Sequence, residues 1–189
     1  TGKATDIFPH RALLSVGLFI SAGSIFLLAD ADANTHFWYV AFVLLLTRIG
    51  SAVVTPPMMT APLLGLPMAQ MQRGAGLTNF AVIFGGSNGI GFYALLLELR
   101  IESHARYLGW TQTFDNDGAR EFLHGIGALL AVSGLAGVER DGMAIGHLRQ
   151  VVIAQANTLG FQDGFVFIGI SLLFSFIPLL WLRSVAQRA

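Results

Sequence analysis

Four stretches of roughly 18 residues or more carry at most one charged side chain each. No other feature limits the fold as strongly, because about 20 apolar residues are what an α-helix needs to cross a hydrocarbon layer about 30 Å thick. The stretches are residues 12–29, between Arg11 and Asp30; 37–59, interrupted by Arg48 and stopped by Pro56 and Pro57; 74–97, ending at Glu98 and Arg100; and 164–182, between Asp163 and Arg183. Composition agrees. The chain is 54% hydrophobic and 12% charged, with mean hydropathy +0.65, whereas soluble domains carry about 25% charged residues. The expectation is an all-α membrane protein with about four transmembrane helices, whose solvent is the lipid bilayer, and a long extracytoplasmic loop with short helices. Formal net charge is zero and there is no cysteine. No basic field argues for nucleic acid, and disulfides, thiolate metal sites and cysteine nucleophiles are excluded. Residues 1–11 do not read as a signal peptide. Thr1, where an initiator Met is absent, points to a piece of a longer chain.

Three regions follow: residues 1–100 with three spans (12–29, 37–59 and 74–98), 101–163 as an extracytoplasmic loop with amphipathic helices, and 164–189 as the last span and a tail. Charge decides the one ambiguous segment, 122–138, which is apolar apart from His124. With four spans, Lys3, Arg11, Arg73, Arg183 and Arg188 share one side, and the short loop 30–36 opposite has no Lys or Arg. That satisfies the positive-inside rule and puts both ends of the chain in the cytoplasm. A fifth span would move Arg183 and Arg188 outside, so 122–138 reads as an interfacial or soluble helix. Residues 113–120 read as a turn, and 148–159 have helical apolar spacing. The segment 57–72, with Pro62 and Pro67, cannot form one regular helix.

Among polar side chains within the spans, Arg48 stands near a midpoint, where a charge is costly and faces protein or water. It reads equally as a residue of a substrate cavity and as a structural cation held by carbonyls or a carboxylate. The third span contains Gly85, Gly86, Ser87, Asn88, Gly89 and Gly91. Gly85/Gly89 and Ser87/Gly91 are small-xxx-small pairs that let helices pack closely or flex. The run has no strand before it and no Lys-Ser/Thr after it, so it is not a phosphate loop. Asn79, Ser87 and Asn88 need hydrogen-bond partners in lipid, from another helix or from a ligand. Pro178 is expected to kink the last span. His10, His36, His104, His124 and His147 have no ligand spacing, so no metal is expected. No nucleophile or carboxylate pair is anchored in a pocket, so neither an enzyme nor a cofactor is expected.

These residues carry a family resemblance. Arg73-Gly74-Ala75-Gly76-Leu77-Thr78-Asn79-Phe80 and Gly85-Gly86-Ser87-Asn88-Gly89 resemble a signature of EmrB/QacA-type drug:proton antiporters, the fourteen-span branch of the major facilitator superfamily. Arg48-Ile49-Gly50 followed by Pro56 or Pro57 looks like that family's R-G-x-G…P span. Gln155-Ala156 and Gly160-Phe161-Gln162-Asp163-Gly164-Phe165 look like its approach to the last span. The chain departs from the pattern at Val82, where the family has Arg, and at Ile49 and Ala75, where it has Gly and Ser. The resemblance implies the last four of fourteen spans in a bacterial inner membrane. It also implies export of drug-like or amphipathic small molecules coupled to protons, with the remaining N-terminal helices as partner and, in some relatives, a periplasmic adaptor. Arg48, Asn79 and Asn88 would then be cavity residues. A self-contained four-span scaffold or assembly subunit without transport activity is the alternative.

Overall fold

The computed structural model describes residues 10–32, 34–64, 66–111, 116–132, 134 and 137–181. Lys3, Arg183, Arg188, the 113–115 part of the expected turn and the end of the last span beyond 181 lie outside the described residues. The described residues form helices and no strand. The helices are α1 His10–Ala29, α2 Phe37–Thr60, α3 Met68–Thr111, α4 Asp117–Val132, α5 Gly137–Phe174 and α6 Phe176–Trp181, with a 3₁₀ turn at Ala61–Leu63. Four helical segments, His10–Ala29, Phe37–Leu63, Met68–Thr111 and Gly137–Leu179, are long and apolar enough to cross a membrane. The expected number of spans is therefore matched by length and composition, and α4, at 16 residues, is not among them.

Helix ends differ from the expected span ends. α3 starts six residues before Gly74 and continues through Glu98, Arg100 and Glu102 to Thr111. Residues 137–163, expected in the loop, are the first part of α5, and α4 ends at Val132, short of 138. The physical reason is that a charge ends the apolar part of a helix but breaks no backbone hydrogen bond, and no proline lies between 68 and 111. α2 also runs past Pro56 and Pro57, whose missing N–H groups withhold donors from the carbonyls of Ala52 and Val53 one turn back and not from their own. Thr60 Oγ1 donates to the Pro56 carbonyl (3.1 Å) and the Ala61 N–H to that of Pro57. The last helix breaks at Ser175, three residues before Pro178, as a missing N–H and a ring clash one turn back require.

The chain divides into two compact units, Thr1–Ala94 with Gln162–Ala189, and Leu95–Phe161. In the first, α1 and α2 form an antiparallel pair. Their buried or half-buried contact residues, Gly17, Ser21, Ser24 and Leu28 on α1 and Val43, Thr47, Gly50, Val54 and Pro57 on α2, alternate spacings of three and four. That repeat keeps one stripe facing a neighbour along its whole length. Its middle, Gly17, Ser21, Ser24, Thr47 and Gly50, is made of small residues, so the backbones approach closely there. A Cβ on Gly50 would lie 2.8 Å from Ser21 N and 3.0 Å from the Gly17 carbonyl oxygen. The hydroxyls satisfy one another. Ser24, fully buried, donates to the Ser21 carbonyl (2.9 Å), and Thr47 donates across the pair to Ser24 Oγ (2.9 Å). Tyr39 Oη reaches the Leu27 carbonyl at 3.1 Å.

The turn between them is tight. Asp32 accepts from Thr35 Oγ1 (2.8 Å) and Asn34 N (3.0 Å), and these bonds, Thr35 first, hold its carboxyl below the usual carboxylate range. The His36 side chain then caps α2 by accepting from Trp38 N. The end of α5 closes on the same unit. Gly169 sits under the Phe26 ring, Gly164 against Tyr93, and Phe92 and Phe167 meet at 5.7 Å. Gln162 Nε2 donates to the Ala31 carbonyl at 3.0 Å.

The second unit joins residues 95–111 of α3, all of α4 and residues 137–161 of α5. Gly160 packs on the Ile101 backbone, 3.2 Å from its N to a Cβ position, and Ala119, Ala144 and Ala156 are buried. Asn116 Oδ1 caps α4 by accepting from Gly118 N (2.9 Å) and Ala119 N (3.3 Å). Gly134, with φ +85°, makes the turn after α4 in a conformation that side-chain-bearing residues avoid.

Candidate functional site

The contact stripe of α2 fixes where Arg48 points. At about 100° per residue, Arg48 lies about 140° around the helix from Val43, on the side turned away from α1. Ser51 and Thr55 share that side, one and two turns on, and all three are exposed. Thr55 Oγ1 donates to the Ser51 carbonyl (2.8 Å), which leaves its lone pairs outward. Among the described residues Arg48 makes no ion pair and no hydrogen bond. The arrangement is a guanidinium followed by two hydroxyls on the side of α2 turned away from α1. It can hold a carboxylate or phosphate through paired N–H donors, but only where protein or water covers it, since a lipid-facing mid-span Arg costs about 2.5–3.5 kcal/mol or more.

The expected packing residues of α3 are equally uncovered. No residue of its apolar stretch is buried. Nothing lies within 4 Å of a Cβ built on Gly85, Gly86, Gly89 or Gly91, and Ser87 is exposed. Asn79 is exposed, and Asn88 Nδ2 donates to the Phe84 carbonyl of its own helix (2.8 Å) rather than to another one. No hydrogen bond or ion pair joins Arg48 to Asn79 or Asn88 among the described residues. Gly74 is covered by Leu63 and Leu66; beyond it the open side of α3 has a repeat like that of the α1–α2 stripe, with Thr78, Ala81, Gly85 and Asn88 at spacings of three, four and three. Around it, Leu77, Phe80, Ile83, Phe84 and Ile90 are each more than half exposed, a surface that water does not tolerate over this extent.

A close small-residue contact between two spans is instead at Gly17, Ser21, Ser24, Thr47 and Gly50, which hydropathy alone does not reveal. Their signal was the alternation of three and four in small residues, visible only when two spans are laid side by side. No protein-family model, curated protein or solved structure matches the chain.

Proposed function

We propose that the chain is the C-terminal part of a proton-coupled efflux transporter of the major facilitator superfamily, exporting drug-like or amphipathic compounds across a bacterial inner membrane. α1, α2, residues 74–97 of α3 and the last part of α5 with α6 are its final spans. The observation that carries the reading is the open side of α3. It lies within the block Gly74 to Gly91 that resembles the antiporter signature, and its repeat of three and four matches the one that α1 and α2 bury against each other. In the transporter this side packs on helices of the N-terminal part, and transport follows from one bundle rocking against the other around a midplane site. Arg48 and, from α3, Asn79 and Asn88 line that site. Both ends of the segment lie in the cytoplasm. At about 1.5 Å per residue α3 is about twice as long as the hydrocarbon is thick, so its stretch beyond Glu98 stands outside the membrane on the extracytoplasmic side.

The test uses the full-length protein with Gly85 and Gly89 both replaced by Leu. Within this chain the new side chains enter open space, and each exchange favours the helix by roughly 0.5–1 kcal/mol. Protein level should be unchanged and efflux of a fluorescent amphipathic dye should fall at least tenfold, because the bundle no longer closes on α3. Undiminished efflux would leave that side facing lipid and remove the support for the reading. Absence of any efflux in the parent protein would favour the scaffold instead.

A further inference from the structure

We infer, on the basis of the export function proposed above, that the exported compound is an amphipathic anion whose phosphate or carboxylate head is held by Arg48. The sign follows from the charges present. Arg48 is the only charged residue in the four apolar stretches 12–29, 37–59, 74–97 and 164–182, and none of them contains Asp or Glu. Among the described residues no carboxylate pairs with Arg48, which is exposed on the side of α2 turned away from α1. A cavity walled by these spans has a positive charge to offer and no negative one. It attracts an anionic head and repels a cationic one, and both effects grow as water is excluded.

The side of α2 that carries Arg48 matches the rest of such a molecule. Arg48 lies about 17 Å along α2 from Phe37, near the middle of a hydrocarbon layer about 30 Å thick and too deep for the head of a bilayer lipid. Toward the Phe37 end, three and four residues away and so on the same side, stand Leu44 and Leu45, both exposed. Toward the Thr60 end stand Ser51, Ala52 and Thr55, exposed and small. The surface therefore changes at the guanidinium from large and apolar to small and hydroxylated. Among the described residues the Ser51 hydroxyl has no hydrogen-bond partner, whereas that of Thr55 donates to the Ser51 carbonyl. Ser51 is thus a further donor one turn from Arg48. An anion arriving from the cytoplasmic, Thr60 end passes Thr55 and Ser51. Its head then pairs with two N–H donors of the guanidinium, and its apolar body lies along Leu44 and Leu45. A carboxylate from a neighbouring helix would satisfy Arg48 but leave the hydroxyls and the change of surface unused.

The full-length protein in phosphatidylcholine nanodiscs is titrated with dansylaminoundecyl phosphate and with the trimethylammonium and alcohol analogues of the same body, binding being read from dansyl emission. The phosphate should bind at least about tenfold more tightly than either analogue, as a charge-assisted hydrogen-bonded pair provides. Arg48→Gln should remove that preference and leave the two analogues unchanged, and Arg48→Lys should restore only part of it. If Arg48→Gln does not fold, the ranking of the three probes on the parent protein decides alone. Equal binding of the three, or tighter binding of the ammonium, overturns the anionic substrate. So does a gain of ammonium binding in Arg48→Gln with phosphate binding unchanged, because Arg48 then pairs with an acid of the protein. Loss of phosphate-probe binding in phosphatidylglycerol nanodiscs would assign Arg48 to a lipid head and overturn it too. Transport is read separately, as uptake of the two charged probes into proteoliposomes with an acidic interior. Uptake of the phosphate probe in preference to the ammonium is expected. The opposite preference overturns the anionic substrate and leaves the exporter standing, whereas uptake of neither contradicts export itself and overturns both.

Discussion

Gly50→Ala is expected to destabilise the first unit by about 2–3 kcal/mol, the upper range for forcing volume into a packed contact. The one added methyl group would meet Ser21 N at 2.8 Å and the Gly17 carbonyl oxygen at 3.0 Å, and also the Ser21 hydroxyl. The first two are backbone atoms, which no rotamer change can move aside. α1 and α2 would have to separate, and that stretches the Thr47–Ser24 bond and opens the Gly17–Val54 contact. A matched exchange sets the sign. Gly23 lies on the same pair of helices with nothing within 4 Å of its Cβ, so Gly23→Ala should stabilise by up to about 1 kcal/mol through helix propensity alone. Unfolding in mixed micelles measures both. If Gly50→Ala is neutral, the pair does not cross where the structure has it.

The second large effect is expected at Arg48. Its cost in hydrocarbon, about 2.5–3.5 kcal/mol on insertion scales, is removed by Arg48→Ala. A structural cation and a cavity residue then predict different things. If Arg48 holds an acidic group of a neighbouring helix, removing it leaves that acid buried and unpaired, at about 3–5 kcal/mol, and the protein level falls. If it serves a water-filled path, the level holds or rises while export falls at least tenfold, and Arg48→Lys, which keeps the charge but loses the planar pair of donors, recovers only part of it. Efflux measured at matched protein level separates the two. Full export by Arg48→Ala contradicts the cavity role.

The number of helices long and apolar enough to cross a membrane was legible in the sequence, because hydropathy reports the solvent that apolar runs of this length demand. Helix ends were not legible in the same way. Glu98 and Arg100 end an apolar run without ending α3, since side-chain charge leaves the i to i−4 hydrogen bonds intact. Pro178 did announce its break, because proline acts on the backbone itself. Pro56 and Pro57 did not: α2 continues through them to Thr60, with Pro57 fully buried. The contact stripe of α1 and α2 was present as Gly17, Ser21, Ser24 and Thr47, Gly50, but small residues in one helix mean little until the partner's matching spacing is seen. Arg48 was visible from its place inside an otherwise uncharged run. Which way it points was not, because that depends on which residues of α2 meet α1.

The central claim is that the chain crosses the membrane four times and that α4 does not cross it. Because the chain has no cysteine, single introduced cysteines can be read against a blank background with a membrane-impermeant maleimide on intact cells. Asn34→Cys in the α1–α2 turn, Gly125→Cys at the middle of α4 and Gly142→Cys on α5 should label from outside, and Ala69→Cys at the start of α3 only after the cells are opened. Gly142→Cys labelling only in opened cells, with Gly125→Cys protected in both, would make α4 a fifth span and contradict the account.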